Sequence, residues 1–333
     1  MIERVAFRTR LTDRFGLVHP VVLAPMAFAA GGRLAAAVSQ GGGLGLIGGG
    51  YGNRDWLDAQ FDHAAGAAVG CGFITWSLER SPDVLEHVLQ RHPRAILLSF
   101  GDPRRLAPHV HAAGVPLLCQ VQNRTDAELA LEAGADVIIA QGGEAGGHGD
   151  RRGTLTLVPE IADLIAQSSG ETLLCAAGGI ADGRGLAAAL VLGADGVLVG
   201  SRLWATVEAN VSDPMHAAAL AASGDGTLRT SVMDIARGLD WPDRFTARVL
   251  RNRFTDEWHG RETELRESRA DPGKAWSEGW SAGDPDRSNT FVGEAVGLIG
   301  AIEPAAEVIE RMVAEAATLL GSSSLLQQGG GRR

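Results

Sequence analysis

The chain has 333 residues, of which 45% are hydrophobic and 21% are charged, and this is the composition of a globular protein. Its formal net charge of -10 argues against a nucleic-acid partner, because phosphate backbones are bound by concentrated basic surfaces. The composition therefore favours small molecules as ligands, and the length accommodates one large domain and a smaller one.

The beginning of the chain, MIERVAFRTRLTDRFG, contains no apolar stretch that resembles a signal peptide. No unbroken run of about 18 apolar residues follows it, so we expect no membrane partner. Three cysteines, Cys71, Cys119 and Cys175, lie singly inside apolar runs, which is typical of buried thiols in a reducing compartment. These features predict a cytoplasmic protein.

Short apolar runs alternate with Ala- and Leu-rich stretches of helical spacing, which indicates repeated strand-helix units. Strands are predicted at 21–26, 44–48, 68–75, 95–100, 116–121, 136–142, 173–179 and 196–201. Nearly all of them are uniformly apolar, so both faces should be buried, which favours an α/β fold of the TIM (β/α)8 barrel type. An open doubly wound sheet is the main alternative.

After about residue 206 the strand-helix alternation stops, and tryptophans and charged residues gather. We predict a barrel over 1–206, a smaller, mostly helical cap or substrate domain over 207–300, and a C-terminal helix with a frayed tail over 301–333. The cap contains four tryptophans that form either an apolar lining for a ligand or the core of the small domain. They are Trp241, Trp258, Trp276 and Trp280.

In such barrels the loops after the seventh and eighth strands often hold a phosphate. Here these loops are AAGGIADGRG (176–185) and VGSRLWAT (199–206). Gly178 and Gly179 would let backbone N–H groups approach an anion, and Ser201 offers a hydroxyl. We call these two loops the phosphate cup. The alternative is that the glycines only make tight turns. The stretch GGGLGLIGGGYG (41–52) is not a dinucleotide fingerprint, because its strand lies between the glycines.

His148 lies between two glycine pairs in QGGEAGGHGD (141–150), directly after the sixth strand. A ligand over the barrel mouth would place this histidine as a general base, whereas the alternative is a solvated loop. Glu144 and Asp150 either orient its ring or lie in solvent. We find no metal-ligand spacing and predict no metal site. Seven further histidines are interpreted as surface residues, namely His19, His63, His92, His109, His111, His216 and His259.

Four segments together resemble the nitronate monooxygenase family, formerly called 2-nitropropane dioxygenases. They are LAPMAFAAGG, IIAQGGEAGGHGD, AAGGIADGRGLAAALVLGADGVLVGSRLWAT and GEAVGLI. The resemblance implies a TIM barrel that binds FMN, with a smaller helical domain over the flavin. It also implies oxidation of an alkyl nitronate by dioxygen to a carbonyl compound and nitrite, so nitronates or nitroalkanes and dioxygen are the expected small-molecule partners. A homo-oligomer remains open.

The resemblance also assigns residues to the flavin site. It implies that the flavin ring lies near Pro25, Met26, Gln141 and Gly146. It implies that the cofactor-binding loops contribute Gly178, Gly179, Val199, Gly200 and Ser201, and that His148 removes the proton next to a nitro group or stabilises the nitronate charge. From the residues alone, core packing is the favoured interpretation of Met26.

Two positions depart from the family pattern. Many relatives have asparagine at the end of strand three, where this chain has Gly72 and Phe73, and His148 is followed by Gly149 and Asp150 instead of Arg-Gly. Three alternative functions stay open. They are an NAD(P)H-dependent quinone or enoyl reductase, a flavin-free sugar-phosphate lyase or isomerase, and a flavin-binding module without turnover.

Overall fold

The computed structural model describes residues 7–168, 171–268 and 270–321. Its strands are β1 (Val21–Leu23), β2 (Leu46–Gly50), β3 (Gly70–Ile74), β4 (Ile96–Ser99), β5 (Leu117–Val121), β6 (Val137–Gln141), β7 (Gly147–Gly149), β8 (Leu173–Ala177), β9 (Gly196–Val199), β10 (Thr227–Thr230) and β11 (Thr246–Leu250).

The α-helices follow the same order along the chain. They are α1 (Arg10–Phe15), α2 (Gly32–Gln40), α3 (Arg54–His63), α4 (Thr75–Leu78), α5 (Pro82–Leu89), α6 (Ala107–Ala112), α7 (Arg124–Glu132), α8 (Thr154–Gln167), α9 (Gly183–Val191), α10 (Ser201–Trp204), α11 (Asp213–Leu220), α12 (Val232–Arg237), α13 (Arg253–Trp258), α14 (Glu262–Ser268), α15 (Ala270–Ala282) and α16 (Ala305–Gly321). Short 3-10 helices span Pro103–Arg105, Gly224–Gly226 and Glu294–Leu298.

Eight of the strands form one sheet in the order β1-β9-β8-β6-β5-β4-β3-β2, and all pairs are parallel. A parallel bridge joins Val22 to Leu44, and the Leu23 N–H donates to the Leu44 carbonyl at 2.9 Å. This contact brings β1 beside the residues that enter β2 and closes the sheet. The predicted TIM barrel is therefore confirmed, and the open sheet is excluded. The second strand lies two residues later than predicted.

Two apolar layers explain why the strands read as uniformly apolar. Leu97 and Ile139 point into the barrel, whereas Ile96 and Ile138 point outward under the helices, and all four are fully buried. Successive side chains of a strand point to opposite faces, so a barrel buries every position. Each such side chain contributes about 1.5 to 3 kcal/mol of burial free energy. Helix α1 adds Leu11 to the inner layer.

The C-terminal helix α16 packs on the barrel helices α9 and α2. The Gly183 N–H at the start of α9 donates to the Glu315 carboxylate at 2.8 Å. Just before α16, Glu303 accepts from the buried Arg202 at 2.5 Å and from Arg311 at 2.6 Å. These bonds hold the end of the described chain against the loop after β9. The frayed tail predicted beyond residue 320 lies outside the described residues except for Gly321.

A second, three-stranded sheet has the order β10-β11-β7 and is antiparallel; we call it the small sheet. Helices α11 to α15 dominate residues 207–300, as expected, but β10 and β11 were not predicted there. The small sheet also includes β7, so His148 lies on a strand opposite Ala247. In the part of the chain that the structure describes, no helix has both the length and the apolarity to cross a membrane.

Candidate active site

A cavity of about 390 Å³ lies at the carboxyl ends of the barrel strands and extends to the small sheet and its helices. This is the face on which TIM-barrel enzymes place their active sites. The floor carries small side chains, including Ala24, Gly72, Ala177 and Gly200, whereas aromatic rings from the strand-end loops and from residues 207–300 form the walls. The cavity is therefore flat and lined by small residues at the barrel mouth, and the walls above the mouth are apolar.

Nearly all of the residues predicted for the site line this one cavity. They are Pro25, Met26, Gln141, Gly146, His148, Gly178, Gly179, Gly200 and Ser201. Val199 does not line the cavity, because its side chain is fully buried in the core. Phe73 lines the cavity and is also part of that core.

The floor depends on the absence of side chains at two positions. A Cβ atom on Gly72 would overlap the ring of Pro25. A Cβ atom on Gly146 would lie 2.5 Å from the backbone carbon of Val292, so the loop after β6 could not approach the segment that follows α15. The close approach of Pro25 thus requires glycine at position 72.

The phosphate cup contains two glycines with left-handed backbone. Gly178 and Gly179 have φ angles of 99° and 74°, in the left-handed region that side chains other than glycine rarely adopt. A Cβ on Gly178 would stand 2.9 Å from the Gly142 carbonyl oxygen. Ser201 Oγ accepts from the Gly293 N–H at 2.8 Å, which joins the cup to the segment after α15.

Glu144 fixes the loop after β6 and does not orient His148. Its carboxylate accepts from the Thr154 N–H at 2.9 Å and from the Thr154 hydroxyl at 2.9 Å, at the start of α8. Asp150 Oδ1 accepts from the Arg151 N–H at 2.8 Å. Neither carboxylate is therefore the partner of the imidazole.

His148 is held on three sides, so the solvated-loop alternative is wrong. Its side chain is 11% exposed, and its ring stacks on Trp241 with centroids 3.5 Å apart and planes 6° apart. Its carbonyl accepts from Gln141 Nε2 at 3.0 Å. Its Nε2 lies 2.8 Å from Oδ2 of Asp234, on helix α12. The ring edge faces Phe100.

Asp234 is itself unusual, because it is a carboxylate with only 2% exposure. Its second oxygen, Oδ1, is buried without a hydrogen-bond partner, and Arg237 Nη1 lies 4.0 Å away. The Arg237 guanidinium covers the rings of Tyr51 and Trp276 at 5.5 Å and 5.3 Å. Arg237 thus adds a positive charge to an otherwise apolar wall of the cavity.

Tyr51 contacts both the Arg237 guanidinium and Trp241. Its hydroxyl accepts from the Trp241 indole N–H at 3.0 Å. Burial raises the pKa of the Tyr51 hydroxyl above its ordinary value, although the Arg237 charge opposes the shift. Tyr51 is therefore a neutral phenol at physiological pH, and it fixes the indole that covers His148.

Two arginines of the small sheet hold the loop after β6 from outside. Arg229 Nη1 and Arg248 Nε both donate to the Gly143 carbonyl, at 3.2 Å and 3.1 Å. Burial, with the neighbouring Arg248 charge, lowers the pKa of Arg229 to about 10. A cation is still present there at neutral pH, and it fixes the segment that leads into β7.

Sequence reasoning missed Asp234 and Phe100, which contact His148, and named Trp241 only as lining or core. It also missed Tyr51, which bonds to Trp241, and Arg237, which lies beside Asp234. The segment SVMDIARGLDW held a signal: an acidic and a basic residue three positions apart in an apolar helix. Trp241, Trp276 and Trp280 line the cavity, while Trp258 packs in the small-domain core, so both interpretations of the tryptophans hold in part.

The interpretation of the other histidines was wrong at two positions. His19 and His216 are buried, at 4% and 8% exposure, and His216 Nε2 bonds to the Trp204 carbonyl at 3.1 Å. Five are exposed as predicted, namely His63, His92, His109, His111 and His259. Cys71, Cys119 and Cys175 are buried free thiols.

A closed parallel barrel with a cavity lined by small residues at its carboxyl face and a partly buried histidine at the rim defines a TIM-barrel enzyme. The sequence profile of the nitronate monooxygenase family matches residues 8–70 and 78–315. The chain therefore belongs to the nitronate monooxygenase family, which is a family of flavin-dependent oxidoreductases.

Individual relatives agree with this membership. The nitronate monooxygenase npaC of Metarhizium robertsii is 37% identical over 338 aligned positions, which cover 91% of this chain and 92% of the relative. FabK from Thermotoga maritima superimposes with a TM-score of 0.83 at 30% identity, covering 94% of this chain and 97% of that structure. A nitroalkane oxidase from Streptomyces ansochromogenes gives a TM-score of 0.76 at 26% identity, covering 93% and 99%.

Proposed function

We propose that this chain binds FMN at the barrel mouth and catalyses the oxidation of alkyl nitronates by dioxygen to a carbonyl compound and nitrite. The observation that carries the proposal is the partly buried His148, which lines the same cavity as the phosphate cup. Family membership supports the same reaction. Residues 207–300 would form the substrate domain, since they supply the aromatic walls.

The residues present fit a flat cofactor with a phosphate. A volume of about 390 Å³ lies within the usual range of ligand cavities, which is about 300 to 1,000 Å³. The phosphate would be held by backbone N–H groups of Gly178, Gly179, Gly200 and Ser201, where side chains at the first two positions would strain the turn. When bound, FMN would supply the redox chemistry between nitronate and dioxygen.

The ring system would lie on the small-sided floor, against Pro25 and Met26. Gln141 would contact the ring through an amide that is already hydrogen-bonded. Its Oε1 accepts from Gln122 Nε2 at 2.9 Å, and its Nε2 donates to the His148 carbonyl. Gly146 would pack beside the ring without a side chain. This arrangement lets the floor position the cofactor mainly by shape.

His148 would act on the substrate from the rim of the cavity. As a neutral imidazole it removes the proton next to the nitro group of a nitroalkane, and as an imidazolium it stabilises a nitronate anion. Arg237 adds positive potential for the nitronate oxygens. The aromatic walls, including Phe100, Trp241 and Trp280, exclude water and favour substrates with an apolar chain.

The test is the visible spectrum of the purified holoprotein, followed under anaerobic addition of an alkyl nitronate and, separately, of NADPH. We expect a flavin spectrum that changes with the nitronate and not with NADPH alone, and nitrite release when oxygen is admitted. Bleaching by NADH or NADPH without a response to nitronate would instead support the reductase alternative. A colourless protein that FMN cannot reconstitute would support the sugar-phosphate enzyme, and a flavoprotein inert to both reagents a binding module.

A further inference from the structure

His148 and Asp234 form a partly buried pair although they are 86 positions apart in the chain. The imidazole comes from β7 and the carboxylate from α12, and their side chains are 11% and 2% exposed. A carboxylate in an apolar environment is costly unless a donor faces it. The donor at hydrogen-bond distance from Oδ2 is His148 Nε2, at 2.8 Å.

The pair restricts the tautomer of the imidazole. If Nε2 carried no hydrogen, its lone pair would face the lone pairs of Oδ2 at 2.8 Å, which is repulsive. If Nε2 carries the hydrogen, it donates to the carboxylate, and Nδ1 becomes the basic nitrogen. Stacking on Trp241 fixes the ring plane, and a half-turn about Cβ–Cγ would replace each nitrogen by a ring carbon, so the ring cannot flip without breaking the contact with Asp234.

We infer that Asp234 is a positioning residue that holds His148 as the Nε2–H tautomer, so that Nδ1 accepts the substrate proton and the carboxylate then stabilises the imidazolium. The catalytic part of this inference rests on the proposed function, whereas the tautomer does not. The carboxylate touches no substrate atom in this assignment and acts through the imidazole alone.

The charged and titratable groups around the pair come from three directions. Arg237 lies on the same helix as Asp234, with its Nη1 4.0 Å from Oδ1. Tyr51 approaches through its bond to Trp241. From the small sheet, Arg229 and Arg248 direct their guanidinium groups to Gly143. Arg237 is therefore the positive charge that balances the buried carboxylate from its other side.

The first measurement is nitrogen NMR of the holoprotein with isotope-labelled histidine, in which the His148 signals are assigned by their loss in His148→Asn. We expect Nε2 to carry the hydrogen and Nδ1 to be the bare nitrogen at neutral pH. The opposite tautomer in the wild type would overturn the inference, and this result needs no Asp234 variant that folds.

The second measurement uses Asp234→Asn, whose amide can donate to Nε2 and so favours the other tautomer. We expect that tautomer change together with a fall of about 100- to 10,000-fold in kcat/KM for a neutral nitroalkane. The preformed nitronate should lose less, and the acidic limb of the pH profile should move to lower pH, because the imidazolium has lost its counter-charge. Asp234→Glu should restore part of the activity.

Asp150→Asn is the matched control, since Asp150 is two residues from His148 but binds the Arg151 N–H. It should leave tautomer and pH profile unchanged. An Asp234→Asn protein with an unchanged tautomer and pH profile would refute the positioning role even if nitronate turnover is confirmed. Conversely, a tautomer change in a protein that does not oxidise nitronates would uphold the pair and refute the proposed reaction.

Discussion

Substitution of Gly178 by alanine should weaken FMN binding in addition to destabilising the fold. The residue has a φ of 99°, and an added Cβ would stand 2.9 Å from the Gly142 carbonyl oxygen and 3.1 Å from Thr154 Oγ1. Left-handed backbone costs a residue with a side chain about 1 to 3 kcal/mol. The turn must therefore shift at the point where its N–H groups would face the phosphate.

The expected loss follows from the bonds that the shift would break. A hydrogen bond to a charged group contributes about 1.5 to 3 kcal/mol, and each 1.4 kcal/mol is a tenfold change in Kd. Losing one such bond raises the Kd for FMN about 10- to 150-fold. The measurement is a titration of the apoprotein with FMN, followed by flavin fluorescence.

The matched control is Gly114→Ala, because Gly114 also has a positive φ, of 67°, but its Cβ would meet nothing within 4 Å. This variant carries the backbone strain without the contact at the cavity. Urea denaturation of both apoproteins measures the strain alone. If Gly178→Ala binds FMN as tightly as Gly114→Ala at equal loss of stability, the phosphate does not lie on this turn.

Three further outcomes are expected. His148→Asn should lower kcat/KM for a neutral nitroalkane about 100- to 10,000-fold and affect a preformed nitronate less, and equal losses in steady-state assays would refute the role as a base. Burial raises the pKa of the Cys175 thiol, so at pH values above the unfolded pKa of 9.0 unfolding releases a proton, and the free energy of unfolding should fall as the pH rises through that value. Urea titrations at pH 8 and above pH 9 should show a smaller fall for Cys175→Ala than for the wild type. An identical fall in both proteins would contradict the raised pKa of Cys175. Glu303→Gln leaves Arg202 buried without its carboxylate and should cost about 3 to 5 kcal/mol by urea denaturation. Arg202→Met should lower the free energy of unfolding less than Glu303→Gln does, because Glu303 keeps its ion pair with Arg311 at 2.6 Å. A larger loss for Arg202→Met than for Glu303→Gln would disprove this account.

The barrel could be predicted because burial on both faces leaves a strong local record in the sequence. Runs such as AILL (95–98) and VIIA (137–140) have no polar position to mark an exposed face, and their number favoured a barrel over an open sheet. The small sheet left no such record. Its strand β7 reads GHG, and what makes it a strand is its backbone pairing with residues 246–248, about a hundred positions away.

The site was predictable to the same extent. Glycine pairs allow close backbone approach, so local sequence could point to the loops and to His148, which line one cavity. Asp234 could not be identified, because only the folded chain brings α12 against β7. His216 was wrongly interpreted as a surface residue. Its ring is buried and bonds to the Trp204 carbonyl oxygen, a partner that the sequence cannot show.

The pairing of β7 with β11 attaches His148 to the segment beyond residue 206, although His148 precedes that segment in the chain. A rigid displacement of β11 would carry Ala247, and with it His148, away from the amide of Gln141 on the barrel. Entry of a substrate by such a movement would separate the proton acceptor from the barrel floor, and return of the strand would bring the two together. A displacement of β11 would thus change the distance between His148 and the barrel floor.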